Sequence, residues 1–499
     1  MGARPFTVVI IGGGFSGAVA AIKLLDIAAA RPLRIRIVEP RPELGRGLAF
    51  STPDPAHYLN APARLFSIHA DRPDHLAHWL SVQEEAADIP LPASGQLADA
   101  FVPRQLYGAY VRAELARAEA EAGLNGSVEH LRAEAIDLVE LEQGVRVTLS
   151  DGRIIGGDVA LLATGFAGNR PTFEVAATPG SRYLADPWSL TGRDLAGAPP
   201  EAGPASVAAD LPRDGTVVFV GGGLTMLDAL VTLERKGFSG RYVSVSRHGL
   251  LVHERREPTP ARDFLGETHP GSARALLRLA RAELRAIAAA GGDWQSVVPV
   301  IRARLASLWN GASPAERARF NRHLRRYWEL ALHRAPGPSH ETFARVRAAG
   351  RIATRAGRIE DITADAQGAI VRLKPRGGTA HEEIRADLVV NCTGAEYAWP
   401  RQSGRPLATN LLARGTVRPG GLGYGIDIDA AAAVIAASGH VSNAIFGIGP
   451  ILRGTRWEAT TIAEIVGHAT AFAEHLATTR LSRRPPAVPP AASSRASAA

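Results

Sequence analysis

The residues best suited to chemistry in this chain are glycines rather than nucleophiles. Gly12, Gly14 and Gly17 stand in the order G-x-G-x-x-G directly after the apolar run Val8-Val9-Ile10-Ile11, and Glu39 closes the next apolar run. A strand, a glycine turn, a helix, a second strand and an acid about 20 residues on is the pattern of an adenine-dinucleotide site. Gly12 allows the tight turn, Gly14 lets backbone approach a pyrophosphate, and Gly17 lets the helix lie close to its strand. Phe15 and Ser16 open that helix, whose free N–H groups and positive dipole end suit phosphates. Glu39 is placed to accept hydrogen bonds from ribose hydroxyls. A second set follows the strand-like run Thr216 to Val220: Gly221, Gly222 and Gly223, then Thr225 in the first helical turn, with Met226 where the third glycine would stand. The next strand-like run ends in Ser246 and Arg247 rather than an acid. A hydroxyl and a guanidinium suit a 2′-phosphate, so NADPH is favoured over NADH.

The elements that must position these residues fit an α/β chain of two or three domains at 499 residues. Hydrophobic content of 46% and charged content of 21% are ordinary for a soluble globular protein. The net charge of +8 invites a nucleic-acid partner, but only Lys23, Lys236 and Lys374 are lysines and the arginines are scattered. The one cluster, Arg317 to Arg326, reads as a solvated helix face. Cys392 is the single cysteine, which excludes internal disulfides and paired-thiol redox chemistry. With no signal peptide and no apolar stretch of membrane-spanning length, a cytoplasmic protein is expected.

Two further segments, 158–165 and 387–394, share one plan: an acid, a buried strand, then Thr164-Gly165 or Thr393-Gly394. Each follows a polar, meander-like stretch, and two-dinucleotide flavoproteins place such strands where the chain returns to the nucleotide-binding sheet. Near the C-terminus, Ile445 to Pro450 is a glycine-rich strand end, with Gly449 and Pro450, that feeds an amphipathic helix from about residue 459 to 476. That device brings backbone N–H groups to an anionic flavin edge. Residues 270–349 carry apolar positions at helical spacing and read as an insertion, either a lid or a subunit interface. The expected organisation is an FAD-binding domain (1–200), an inserted NAD(P)-binding domain (205–385), a return of the first domain (386–480) and a disordered tail (481–499). The fold class is α/β with two Rossmann-like domains.

The segments after Glu39 are more specific. Gly45-Arg46-Gly47-Leu48-Ala49-Phe50-Ser51-Thr52, His57-Tyr58-Leu59-Asn60-Ala61-Pro62-Ala63, Asp71-Arg72-Pro73, His78-Trp79-Leu80 and Phe101-Val102-Pro103-Arg104-Gln105-Leu106-Tyr107-Gly108 accompany the run Gly221 to Asp228 and the Gly-Ile-Gly-Pro ending. Together they make the chain resemble bacterial FAD/NAD(P)-binding proteins that include the FAD-dependent urate hydroxylases. The likeness spans nearly the whole chain, apart from the tail and most of the helical insertion, and adds Gly45 and Gly47 to the FAD-binding set. It implies a flavin monooxygenase. NAD(P)H reduces FAD, the reduced flavin captures O₂ as a C4a-hydroperoxide, and one oxygen passes to a small-molecule substrate; with urate this gives 5-hydroxyisourate. His57 and Asn60 then face the isoalloxazine or the substrate, unless they only stabilise their loop. Arg104 grips an anionic substrate, unless it forms a salt bridge that fixes its loop. His57, His69, His75 and His78 lack metal-ligand spacing, so no metal is expected.

Departures narrow the reading. Baeyer–Villiger enzymes carry F-x-G-x-x-x-H between their nucleotide motifs, whereas Phe166-Ala167-Gly168 leads here to Thr172. N-hydroxylases of amino acids and polyamines share the two-module plan and a helical insertion, and stand as the alternative. A flavin-binding regulatory protein without turnover is a third reading, suggested by Met226.

Overall fold

The computed structural model describes residues 4–28, 32–166, 168, 171–178, 180–191, 210–266, 270–401 and 404–481. Phe6–Ile11 is buried at every position, as a continuous apolar run must be when both sheet faces are covered. It pairs in parallel with Leu33–Val38, from Phe6↔Leu33 to Ile11↔Val38, and on its other side with Val159–Leu162. Gly126–Leu131 and Val441–Gly447 extend the sheet in parallel, and Ala433–Ile435 closes one edge antiparallel. Helices Phe15–Asp26, Arg104–Ala122 and Ile462–Leu476 pack together against one face. A three-stranded meander, Ala135–Glu140, Val145–Leu149 and Ile154–Gly157, shares the core on the other.

The second sheet places Tyr183–Leu184, Leu388–Asn391, Thr216–Val220, Arg241–Ser246 and Ile352–Ala364 side by side and parallel. Ala369–Pro375 and Glu382–Ala386 continue it as an antiparallel meander. This corrects two expected boundaries. Leu388–Asn391 does not open the return to the first sheet; it pairs with Thr216–Val220, from Val217↔Leu388 to Val220↔Asn391. Glu174–Ala177 and Tyr183–Leu184, counted with the first domain, also pair with second-sheet strands. The cause is a repeated local device. Asp158 accepts from the Thr7 N–H at 2.7 Å, and Asp387 accepts from the Thr216 N–H at 2.7 Å. Each acid therefore docks its strand beside the glycine-turn strand of its own sheet. The chain regains the first sheet only at Val441–Gly447. The expected junction near residue 200 and the expected tail beyond 481 lie outside the described residues.

The insertion is helical as the spacing requires, with Ala273–Ala289, Val297–Gly311, Pro314–His323 and Arg325–Leu332. Ser272 Oγ accepts from the Ala275 N–H and Ser313 Oγ from the Glu316 N–H, so two of these helices begin on serine caps. Gly337–Ala348 follows and packs on Leu224–Arg235 of the second module.

Candidate dinucleotide sites and the cavity between them

The first glycine turn is built so that backbone meets backbone. Gly12 has φ +108°, and a Cβ there would lie 2.4 Å from the Ala163 carbonyl oxygen. A Cβ on Gly17 would lie 2.0 Å from the Gly12 oxygen, which is the close helix–strand approach expected of the third glycine. Gly14 and Gly47 face each other; a Cβ on either would come within 3.1 Å of the other's Cα. The Gly45 N–H donates to the Gly13 carbonyl at 2.8 Å, folding the 45–47 loop over the turn. Glu39 is buried at the end of its strand, where it accepts from the Gly13 N–H at 2.9 Å and the Arg41 N–H at 3.2 Å. The Ile448 N–H donates to the Leu162 carbonyl, which brings the C-terminal glycines alongside Thr164 and Gly165. Gly449, at φ +79°, then lies so close to Ser16 that a Cβ would be 2.4 Å from its Oγ, and Pro450 is buried in the short turn Gly449–Leu452. The Thr164 hydroxyl is buried without a hydrogen-bond partner, and the space around Gly165 is open. A side-chain-free cradle, a helix N-terminus and an orphaned hydroxyl fit a dinucleotide pyrophosphate. Phe15 opens the helix, and its ring is buried against Phe50 and Tyr107.

The second turn repeats the first. Gly221 has φ +122°, and a Cβ there would lie 2.4 Å from the Cys392 carbonyl oxygen, as Gly12 does with Ala163. Gly223 and Gly394 border open space, with Thr225 half-buried in the first helical turn. Met226 is fully buried in the core beneath that helix. Ser246 is buried at its strand end and accepts from the Gly249 N–H. Arg247 is exposed beside His248, Arg326 and Arg376, and Arg376 contacts His248 Nδ1 at 2.8 Å. Burial, then Arg326, Arg376 and Arg247, lower the His248 pKa. Among the described residues no carboxylate forms an ion pair with these three arginines. Arg326 and Arg376 carry no local sequence signal; the fold brings them to Arg247.

Of the expected catalytic residues, Asn60 and Arg104 line the cavity between the modules and His57 does not. His57 is 2% exposed, with Nδ1 2.7 Å from Thr52 Oγ1 and Nε2 2.8 Å from Thr232 Oγ1. Burial dominates in lowering its pKa, so it is held neutral. Arg104 donates to Asp228 Oδ2, and its guanidinium lies 5.2 Å from the Trp188 ring centroid. Thr232 also donates to Asp54 at 2.8 Å. These contacts clamp the loop after Gly47 to the helix Leu224–Arg235 of the second module. Both ring nitrogens of His57 are thus committed, Nε2 across the domain junction, whereas Arg104 pairs with Asp228 through Nη2, keeps a buried Nε without a partner and also lines the cavity. Asn60 lines the cavity described next, and its carbonyl accepts from Arg255 at 3.2 Å.

A cavity of about 1200 Å³ lies between the modules, bounded by the 58–66 loop, Arg104, Leu224, the insertion helix Val297–Gly311 and the segment 456–468. The insertion is pinned above it. Trp309 and Trp457 pack with tilted rings, centroids 4.7 Å apart, Trp328 Nε1 donates to Glu458 at 3.1 Å, and Arg453, paired with Glu329, has its guanidinium 4.6 Å from the ring centroids of both Tyr397 and Trp457. The expected solvated arginine face is only partly so: Arg325 lies over Tyr424 and pairs with Glu329, and Arg317 donates to the Trp309 carbonyl. His69, His75 and Glu114 form the one cluster among the described residues with metal-like proximity. It is saturated internally: Glu114 accepts from Arg117 at 2.9 Å and lies 2.8 Å from His69 Nε2, while His69 Nδ1 meets Arg72 and His75 Nδ1 meets Tyr110.

Residues 9–167 match the family model described as FAD-NAD(P)-binding. The first module is an FAD/NAD(P)-binding domain. No curated protein matches the chain by sequence. Among solved structures, the chain is similar to the ornithine N-hydroxylase of Kutzneria sp. 744 at TM-score 0.60 and 13% identity, covering 95% of this chain and 99% of that one. It is similar to the ornithine hydroxylase of Pseudomonas aeruginosa at TM-score 0.61 and 16% identity, with the same coverage. The cadaverine monooxygenase of Erwinia amylovora, solved with FAD, matches at TM-score 0.62 and 10% identity, with 96% of each chain covered. At these identities the likeness shows the fold: two dinucleotide-binding modules in an α/β architecture. Among the described residues no helix is long and apolar enough to cross a membrane.

Proposed function

We propose that the chain is an FAD-dependent, NADPH-consuming monooxygenase that hydroxylates the nitrogen of an amine-bearing small molecule. The observation that carries this is the insertion-roofed cavity lying between two complete glycine-turn modules, in a fold shared end to end with N-hydroxylating enzymes. FAD bound at the first turn would pass electrons from NADPH to O₂, one atom of which goes to the substrate nitrogen and the other to water. The Gly12–Gly17 turn and the 45–47 loop hold its pyrophosphate, and Glu39 its ribose. Ser246 and Arg247, with Arg326 and Arg376, hold the 2′-phosphate of NADPH. The roof of Val297–Gly311 keeps water from the reacting atoms, and the His57–Arg104–Asp228 clamp fixes the spacing of the two modules.

The test is anaerobic NADPH bleaching of the FAD-loaded protein, then aerobic turnover with amines and with urate, assaying hydroxylamine formation and urate loss. Amine-stimulated NADPH oxidation with hydroxylamine formed supports the reading. Urate consumption matched to NADPH use would replace it with the urate hydroxylase to which the 45–63 segment points. A flavin that NADPH cannot bleach would leave a regulatory flavoprotein.

A further inference from the structure

The cavity carries a charge imbalance that neither nucleotide module accounts for. Seven arginines and four carboxylates line it. Much of that charge is settled locally. Arg64 donates to Asp99 at 3.0 Å and to Glu257 at 2.7 Å, Arg255 pairs with the same Glu257 at 2.6 Å, and Arg256 pairs with Asp293 at 2.8 Å. Arg104 pairs with Asp228, and Arg302, Arg334 and Arg456 are left without a carboxylate ion pair among the described residues; Arg456, on the 456–468 segment rather than with the other two, donates to the Ala430 carbonyl at 3.1 Å. Arg302, half-buried on Val297–Gly311, makes no hydrogen bond or ion pair among the described residues. Arg334 is 5% exposed; its Nη1 donates to Gln295 Oε1 and to the Arg256 carbonyl, but to no carboxylate, and its Nε is buried without a partner. Burial, reinforced by the neighbouring charge of Arg255, presses the Arg334 pKa down to about 10. Arg302 feels the charge of Glu458, and Arg334 that of Glu257 and Asp293, but neither is ion-paired; cations held in a cavity wall without an ion-paired carboxylate are costly, and a bound anion lowers that cost. The acidic residues lie on a different wall: Glu458 and Glu464 belong to the segment that leads into the helix Ile462–Leu476. Burial raises the Glu458 pKa.

We propose that Arg302 and Arg334 form an anion subsite for a substrate carboxylate, so that the substrate is an amine-bearing carboxylic acid rather than a diamine. This rests on the monooxygenase reading given above. A guanidinium pair presents donors that match the two oxygens of a carboxylate. The same donors would suit a phosphate of the nicotinamide dinucleotide, but Arg247, Arg326 and Arg376 already surround the 2′-phosphate position, and the turn after Val220 offers backbone to the pyrophosphate.

The experiment titrates the full-length, FAD-loaded protein calorimetrically with amino acids and with the amine each yields on decarboxylation: L-lysine against cadaverine, L-ornithine against putrescine, and further pairs of the same kind. NADP⁺ is titrated in parallel, in wild type, Arg302→Gln and Arg334→Gln. At least one amino acid should bind roughly tenfold or more tightly than its own amine. Arg302→Gln should erase that ratio while leaving the Kd of the amine and of NADP⁺ within about twofold. Arg302 makes no hydrogen bond or ion pair among the described residues, so this variant keeps the test open if Arg334→Gln fails to fold. No difference within any pair, or a ratio that survives Arg302→Gln, overturns the proposal. So does a loss of NADP⁺ affinity, which would assign the guanidinium to the coenzyme. Anaerobic bleaching in the same preparations separates the two ideas. Bleaching without carboxylate discrimination defeats the subsite alone, and failure to bleach defeats the monooxygenase reading.

Discussion

Gly449 illustrates how much of the first site depends on the absence of side chains. Its φ of +79° and the 2.4 Å that would separate a Cβ from Ser16 Oγ leave no room for alanine. Gly449→Ala should therefore strain the junction by about 1–3 kcal/mol. Expressed at the site, that is a loss of FAD affinity of roughly tenfold or more, read as FAD retained after gel filtration; full retention would show that the C-terminal glycines do not border the flavin nucleotide. At the second site, Arg247→Ala removes one charge-assisted contact worth about 1.5–3 kcal/mol from NADPH and little from NADH. The ratio of the two Kd values should fall by about tenfold or more. An unchanged ratio would show that Arg247 does not read the 2′-phosphate.

Among the elements, the helices Arg104–Ala122 and Leu224–Arg235 are joined by an ion pair whose loss is asymmetric. Arg104→Ala leaves Asp228, 12% exposed at its side chain, without its cation, which should cost about 3–5 kcal/mol in urea unfolding. Adding Asp228→Ala should recover part of that loss; strictly additive effects would mean the two do not interact. This clamp also marks the limit of what the sequence discloses. Both glycine turns, their strands and the helical insertion are written in local spacing, and the structure places them accordingly. The partners of His57 and Arg104 are not, because Asp228 and Thr232 meet them only after the two modules dock. A polar residue in a motif-bearing loop reads the same whether it faces a substrate or a neighbouring helix. The Thr-Gly strand endings misled for a related reason: the pattern states that a strand ends beside a glycine turn, and either turn satisfies it. Arg255, Arg302 and Arg334 come from three separate segments, so their convergence had no signature beyond scattered arginine.

At the scale of the whole molecule, two half-buried histidines line the cavity, His333 and His468, and His57 is buried at the junction of the modules. Burial, aided by nearby arginines, holds His333 and His468 at a pKa of about 4, and burial also lowers His57. Their unfolded value is about 6.5, so the unfolded chain binds more protons in the window between. Stability should fall as pH drops from about 6.5 towards 4, with roughly two to three protons taken up on unfolding near pH 5.5. His468→Asn should reduce that uptake by about one proton in denaturant titrations at several pH values; an unchanged uptake would show that His468 is not the titrating group. The insertion has a different consequence. It leaves after Arg241–Ser246 and comes back at Ile352–Ala364, two strands that are immediate neighbours, with Tyr242 beside Ile352. Because these strands are parallel, the excursion departs at the Ser246 end and lands at the Ile352 end, opposite Tyr242; it is a crossover whose two ends the sheet keeps fixed while its contents vary. The wall that faces the substrate can be exchanged between related proteins without disturbing either nucleotide sheet, provided the tryptophan and arginine anchors at Trp457 and Arg453 travel with it. Selectivity in this architecture is therefore free to diverge faster than coenzyme use.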